Sequence, residues 1–245
     1  MHIYVVSRFT VSDKDIFDHF INYYLNLGVY KFIINFNYKL YEDEIKINNF
    51  IIDCINKYKD IIIYSNGPNG MDISEVKNID QLKLLVLNNT SHDDFVIPAD
   101  SDEFHEFDLP LNELVIKDID YIKGSTNERI TNDGTIKPIV DNINIFEQFP
   151  KINNKLFCHP KISLIRAKYF YMLGVGHHNI DIKYNLHCYN ISSKTNHFRW
   201  NLQGQERMLN WIKLWESEKY KGWADINKYK KQLEIMETNN LLEYN

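Results

Sequence analysis

The sequence lacks the features that mark several common protein classes. Its 245 residues contain three cysteines, Cys54, Cys158 and Cys188, and no C-x-x-C pair. This excludes a disulfide framework and favours a reducing compartment. The formal net charge is −5, so the chain lacks the basic field that attracts nucleic acid. No segment reaches the ~18 apolar residues of a transmembrane helix, and no basic leader precedes a long apolar run. We therefore expect a cytoplasmic protein without a transmembrane segment or a nucleic-acid partner.

Two phosphate-binding motifs are also missing. No G-x-G-x-x-G follows the first apolar run, and no G-x-x-x-x-G-K-[ST] occurs in the chain. A dinucleotide-binding Rossmann domain and a P-loop NTPase lose their main support, because both cradle phosphates with these glycine-rich loops. A nucleotide bound by this chain would need another group to balance its phosphates.

The first hundred residues alternate between strand and helix patterns. Hydrophobic residues make up 44% of the chain, and their spacing predicts strands at 2–9, 31–36, 60–64 and 95–99 and helices at 13–27, 42–58 and 79–89. The cluster Asn66-Gly67-Pro68-Asn69-Gly70 predicts a turn. The repeated strand–helix order indicates the α/β class, with a Rossmann-like, mostly parallel central sheet flanked by helices.

A pair of carboxylates follows the fourth predicted strand, in Asp100-Ser101-Asp102-Glu103-Phe104. Alternate side chains of an extended segment point to the same side, so Asp100 and Asp102 can converge on one cation. Mg²⁺ and Mn²⁺ prefer carboxylate oxygens and share their coordination sphere with substrate phosphates. The sequence therefore predicts a site for a metal and a diphosphate, with a solvated acidic turn as the alternative.

Polar residues stand at the carboxyl ends of the other predicted strands, where ligands of parallel sheets bind. Lys83, in the third predicted helix, is a further candidate, although a solvated surface charge is its alternative. We expect these residues to contact a nucleotide: Ser7, Arg8, Asn35, Asn66, Lys83 and Asp100.

These motifs resemble the glycosyltransferases of the GT-A fold, particularly the family 2-like and family 92-like branch. Residues 2–37 resemble its opening, with a strand, a polar turn containing Arg8, and a helix that ends in Leu27-Gly28-Val29. The family's D-x-D-E-F block matches residues 100–104. Three later segments are similar to the family's downstream Lys, His and C-terminal His segments: 161–166, 176–179 and 197–200. The second strand departs from the family, because Asn35 and Asn37 stand where an acidic residue is usual.

The resemblance implies transfer of a sugar from a nucleotide-diphosphate donor, such as a UDP-sugar, to a hydroxyl of a glycan, a lipid-linked acceptor or a protein. It implies Mn²⁺ or Mg²⁺ on the diphosphate, held by Asp100, Asp102 and His197. An inverting reaction would use a carboxylate base, for which Asp181 is the first choice and Glu206 the competitor. Glu103 could bind metal, orient the acceptor or cap a helix.

Two other functions remain open. One is a sugar nucleotidyltransferase on a similar sheet, for which a glycine-rich basic segment is expected after the first strand. Residues 7–12 contain no glycine. The other is a non-catalytic nucleotide- or sugar-binding module.

The remaining chain suggests a division into a GT-A-like domain at 1–202 and a helical extension at 203–245 packed on it. The extension predicts two helices, with an apolar face at Met208, Trp211, Leu214 and Trp215. Its lysines would allow peripheral contact with an anionic membrane, while interspersed glutamates argue against this. His177-His178 follows a flexible turn that could close over the donor. Arg129 and Arg166 are read either as acceptor anchors or as partners of carboxylates.

Overall fold

The chain folds into two compact units. The computed structural model describes residues 1–38, 43–69, 74–156, 159–180, 186–188, 192–217 and 226–242. Unit 1 comprises Met1–Thr126 and His159–Asn196, and unit 2 comprises Asn127–Cys158 and His197–Asn245. The predicted domain boundary after residue 202 stays a prediction.

The first part of unit 1 is a parallel sheet with helical crossovers. Neighbouring strands are parallel in the order β3-β2-β1-β4, which confirms the α/β class and the central sheet flanked by helices. A short 3₁₀ helix at Val11–Asp13 precedes α1. The elements are β1 (Ile3–Phe9), α1 (Lys14–Asn26), β2 (Lys31–Tyr38), α2 (Glu44–Tyr58), β3 (Ile62–Asn69), α3 (Ser74–Asn89) and β4 (Phe95–Pro98).

Both faces of this sheet are covered, as parallel sheets require. On one face, Val6 and Ile33 belong to a buried cluster with Val86 of α3. On the other, the Phe9 ring meets the rings of Phe17 and Phe20 in α1 edge to face, with centroids 4.8 and 5.0 Å apart. Alternate side chains of β1 therefore pack into the core on opposite faces of the sheet.

The later strands turn the sheet antiparallel, which the sequence pattern does not predict. The strand order continues β4-β8-β6-β9-β5, and β8 runs antiparallel to both β4 and β6. The elements after β4, in chain order, are β5 (Glu103–Phe107), α4 (Leu111–Leu114), β6 (Tyr121–Ile130), α5 (Ile145–Gln148), β7 (Lys151–Ile152), β8 (Lys161–Arg166) and β9 (Ser193–His197). Short 3₁₀ helices at Ala167–Met172 and Val175–His177 follow β8.

Unit 2 contains α5, β7 and the two expected C-terminal helices, α6 (Leu202–Glu216) and α7 (Ile226–Glu237). Met208, Ile212 and Leu233 are buried together in the cluster that joins α6 and α7. A second cluster surrounds the fully buried Trp200 and includes Met236 of α7. Within the described residues, no helix is both long and apolar enough to cross a membrane.

The turn predicted at 66–70 is wrong over residues 66–69, which continue β3; Gly70 lies outside the described residues. β3 stands first in the strand order, at the edge of the sheet. Proline is tolerated on an edge strand, because no neighbour on that side needs its missing N–H. Residues 66–69 therefore continue the edge strand, although their composition is typical of a turn.

Candidate functional site

The carboxyl ends of the parallel strands place polar side chains in one row across the sheet. Arg8 of β1 is in register with Asn35 of β2, and Asn35 with Ser65 of β3. The Asn35 amide nitrogen donates to Ser65 Oγ at 2.8 Å. On the other side of β1, Arg8 Nη2 lies 4.0 Å from Asp100 Oδ1, just beyond the end of β4. Three of the residues predicted at strand ends are thus neighbours.

The D-x-D segment is a tight turn, so the prediction that it is extended is wrong. The Glu103 amide donates to the Asp100 carbonyl at 3.0 Å, which closes a four-residue turn. The Asp100 amide in turn donates to Glu103 Oε2 at 3.1 Å. The Asp100 side chain is one-third exposed (33%), whereas Asp102 is buried. The strand alternation that was expected to align the two carboxylates does not apply inside a turn.

Lys161, the first residue of β8, reaches both carboxylates at the ends of this turn. Its Nζ lies 2.8 Å from Asp100 Oδ2 and also contacts Glu103 Oε1. The antiparallel pairing of β8 with β4 brings the start of β8 level with the residues that follow β4. Glu103 is fully buried and Lys161 nearly so. Arg8, Lys161, Asp100 and Glu103 together carry two positive and two negative charges, which cancel.

The ion pair is charged on both sides at neutral pH. Burial alone would raise the pKa of Asp100, but the nearby Lys161 and Arg8 cations hold it well below its usual range. Burial alone would lower the pKa of Lys161, but Asp100 and Glu103 outweigh that effect and raise it. Opposite charges this close favour both ionised forms.

A cleft opens beside this row. Its polar lining includes Arg8, Lys83 and His177, and its apolar lining includes Leu82 and Phe170. Burial lowers the pKa of His177 to about 4, so its imidazole is neutral at pH 7. Its Nδ1 is buried and has no hydrogen-bond partner among the described residues. Two cations beside an apolar floor suit an anionic ligand that also has an apolar part.

Three buried oxygens near the strand ends also have no hydrogen-bond partner among the described residues: Ser7 Oγ, Asn35 Oδ1 and Asn37 Oδ1. Ser7 and Asn35 are themselves almost completely buried. An unsatisfied buried polar group costs about 1–3 kcal/mol, so such groups call for an explanation. A ligand with hydroxyl or N–H donors on the face that carries Arg8 would satisfy Asn35 Oδ1 and Asn37 Oδ1, whereas Ser7 points to the opposite face of the sheet.

The residues fit a divalent cation only if the cation is shared with a ligand. The carboxylate oxygens of Asp100 and Asp102 are the donors that Mg²⁺ and Mn²⁺ prefer. However, the described part of the chain contains no group of three or more His, Cys, Asp or Glu side chains that could hold a metal ion. Asp100 is already paired with Lys161. Phosphate or water oxygens would have to complete the coordination, as is common for Mg²⁺.

His197, the predicted third metal ligand, belongs to a buried network in unit 2. Its Nδ1 lies 3.0 Å from Glu128 Oε1, and the Trp200 indole N–H donates to Glu128 Oε2 at 2.7 Å. Arg199 Nε lies 3.2 Å from each ring nitrogen of His197. A guanidinium so close to the ring opposes a second cation there, and the metal role of His197 stays a prediction. Sequence reasoning missed Glu128, which lies within β6 in no recognisable motif.

The other candidates occupy varied positions. Glu103 is buried against Lys161, while Asn66 is exposed on β3 and Glu206 is exposed on α6 of unit 2. Asp181, the first choice for a general base, lies outside the described residues. The catalytic roles of Glu103, Glu206 and Asp181 stay predictions.

The two arginines with open roles make structural contacts. Arg166 lies 4.9 Å above the Phe95 ring and donates to the Ile119 carbonyl at 2.6 Å. Arg129 lies 5.1 Å from the Phe146 ring centroid. These contacts give both arginines a packing role.

Comparison with known proteins gives weak structural likenesses only. No protein-family model and no curated protein sequence matches the chain. HddC from Yersinia pseudotuberculosis is 13% identical with a TM-score of 0.41, over 79% of this chain and 90% of that chain. Its complex with GMP-PN gives 10% and 0.38, over 80% and 90%. A Bacillus anthracis structure in complex with a sucrose, described as a "Putative Glucose-1-Phosphate Thymidylyltransferase", gives 10% and 0.34, over 94% and 83%. Likenesses this weak carry no argument about activity, and the glycosyltransferase resemblance is not confirmed.

Proposed function

We propose that the crevice at the strand ends of unit 1 binds a nucleotide sugar and that the protein is a transferase. The observation that carries this proposal is the row of Asn35, Arg8 and Asp100. It joins an unsatisfied buried acceptor, a cation that lines a partly apolar cleft, and the D-x-D turn. In a bound nucleotide sugar, we expect Asn35 to bind the nucleoside, Arg8 to bind a phosphate group, and Asp100 to bind the cation on the diphosphate.

Within this proposal, the reaction is metal-dependent transfer of the sugar to a hydroxyl of a glycan, lipid-linked or protein acceptor. Arg8 and Lys161 are already paired with Asp100 and Glu103, and Asp102 adds a further carboxylate, so a diphosphate would bring uncompensated negative charge. Lys83 is the further cation among the residues that line the cleft. A divalent cation held by Asp100 and Asp102 would supply the remaining neutralisation and stabilise the leaving nucleoside diphosphate. Arg8 and Lys83 would bind phosphate oxygens, and Asn35 would bind the nucleoside.

The acceptor hydroxyl needs a base. Asp181 and Glu206 are the carboxylates proposed for it. Glu103 is less suited, because Lys161 and the Asp100 amide already bind its carboxylate.

The second candidate is sugar nucleotidyl transfer. The Bacillus anthracis structure is described by that type of activity, although its TM-score leaves the choice to experiment. The two reactions differ in their products, because glycosyl transfer releases a nucleoside diphosphate and nucleotidyl transfer releases inorganic diphosphate.

The first experiment is a thermal-shift screen of UDP, GDP and dTDP, with and without Mn²⁺, because ligands that bind the folded state raise its apparent stability. We expect one nucleotide with Mn²⁺ to raise Tm, and Asp102→Asn to abolish that rise. Asp108→Asn, an exposed aspartate of unit 1, is the matched control. Ligand-free melts establish that each variant is folded.

Three results decide between the readings. Absence of any nucleotide-dependent shift would contradict the proposal. An unchanged shift in Asp102→Asn would remove the D-x-D turn from the site. Product analysis of the matching nucleotide sugar, or of the nucleoside triphosphate with sugar 1-phosphates, then separates the two transferases.

A further inference from the structure

The ammonium of Lys161 contacts Asp100, one of the two carboxylates proposed to hold a divalent cation. Its Nζ is 2.8 Å from Asp100 Oδ2, and the Lys161 side chain is 7% exposed. The opposite oxygen of Asp100 faces Arg8 at 4.0 Å. Each oxygen of this carboxylate therefore has a protein cation beside it.

Glu103 fixes Lys161 in this position. It is fully buried, contacts the ammonium through Oε1, and accepts from the Asp100 amide through Oε2 at 3.1 Å. The ammonium, the Asp100 carboxylate and the turn backbone thus form one closed set of contacts. Moving Lys161 out of this position would separate its ammonium from the buried Glu103 carboxylate, and breaking a buried ion pair is unfavourable.

This arrangement works against a free metal ion. A cation that approaches Asp100 alone meets the positive charges of Arg8 and Lys161, which offset the attraction of the carboxylates in this segment, and cations at such distances repel. A diphosphate changes both conditions, because it adds negative charge and supplies oxygen ligands.

We propose that Lys161, held by Glu103, is a positioning residue that balances Asp100 in the free protein, so that a divalent cation binds at the D-x-D turn only together with a diphosphate ligand. This inference rests on the proposed function, since it assumes that the crevice takes a phosphorylated nucleoside. It adds an order to binding, in which the protein does not hold the metal until the nucleotide is present. Metal and nucleotide then increase each other's affinity by the same factor.

The experiment measures Mn²⁺ binding by electron paramagnetic resonance of the free ion, with the full chain alone and with UDP, GDP or dTDP. For the wild type we expect weak binding without nucleotide and binding at least about tenfold tighter with one of them, within the usual range of such couplings. The double variant Lys161→Met with Glu103→Gln removes both charges of the buried pair, so that neither is left alone. We expect this variant to bind Mn²⁺ without nucleotide several-fold more tightly than the wild type.

Lys123→Met, an exposed lysine of β6, is the control and should leave Mn²⁺ binding unchanged. Circular dichroism and a thermal melt establish that the double variant folds. If it does not, Lys161→Arg, which keeps the charge and lengthens the side chain, should retain weak metal binding without nucleotide.

Several outcomes would overturn the inference. One is wild-type Mn²⁺ binding that is equally tight with and without nucleotide. Another is a folded double variant that binds Mn²⁺ without nucleotide no more tightly than the wild type. A third is a Lys161→Arg variant that binds Mn²⁺ tightly without nucleotide. Nucleotide binding that never involves Mn²⁺ would also refute it, while leaving nucleotide recognition intact. If no nucleotide binds, the proposed function fails, and the Mn²⁺ affinity of the double variant still tests the role of Lys161.

Discussion

Replacing Glu128 should destabilise unit 2 strongly, because its one carboxylate contacts three other side chains. Glu128 is fully buried and receives the Trp200 indole N–H at 2.7 Å and the His197 ring at 3.0 Å, with Arg199 at 3.8 Å. Glu128→Gln keeps the shape but puts an NH₂ group where one of these donors needs an acceptor. Hydrogen bonds to charged groups contribute about 1.5–3 kcal/mol each. We therefore expect a loss of about 2–4 kcal/mol in the free energy of unfolding.

For a chain of this size, 1 kcal/mol corresponds to about 2–4 °C in Tm, so Glu128→Gln should melt at least about 4 °C lower. Calorimetry measures this directly. Glu147→Gln, an exposed glutamate in α5, is the matched control and should stay within about 0.5 kcal/mol of the wild type. A cycle with Trp200→Phe should give a coupling of at least about 0.5 kcal/mol, because the two side chains are in contact. Equal Tm values for Glu128→Gln and Glu147→Gln would refute the network.

Two further predictions concern unit 1. A Cβ at Gly124 would lie 2.1 Å from Ser193 Oγ and 2.3 Å from its carbonyl oxygen. Gly124→Ala should therefore cost about 1–3 kcal/mol in urea unfolding, whereas Gly174→Ala, 3.5 Å from its nearest neighbour, should cost far less. Burial lowers the pKa of His105 to about 3, so the unfolded chain binds a proton below pH 6.5 that the folded chain does not. Stability should fall as the pH drops from 6.5 toward 3, and His105→Asn should reduce the slope by up to about 1.4 kcal/mol per pH unit. An unchanged slope would show that His105 is not held neutral by the fold.

The parallel half of the sheet could be predicted because its signals are local. Apolar runs and helical spacing are read within windows of a few residues, and they correctly placed β1, α1 and β2. The position of Asp100 just after β4 came from the same local pattern. The turn at residues 100–103 could not be predicted from this pattern. The spacing of the carboxylates in the sequence is the same whether the segment is extended or forms a turn closed by Glu103.

The partners of the site could not be predicted in the same way. Lys161 meets Asp100 across 61 residues of sequence, through an antiparallel pairing that leaves no local trace. Glu128 is likewise defined by partners 69 to 72 residues away. The family resemblance marked the segment around Lys161, but it did not indicate that the ammonium would face the D-x-D turn.

Unit 1 is built from two separate segments of the chain, and this affects how it folds during synthesis. The carboxylate of Glu103 and the ammonium of Lys161 are separated by 58 residues, which a ribosome adds in about 3–12 s at 5–20 residues per second. During that interval β4 has no neighbour on the side that β8 will occupy, and an open strand edge is a site of aggregation. A nascent chain that ends at Thr126 would hold the whole parallel half without the strand that closes it. The strand that brings Lys161 to the D-x-D turn is therefore also the one that covers this open edge of β4.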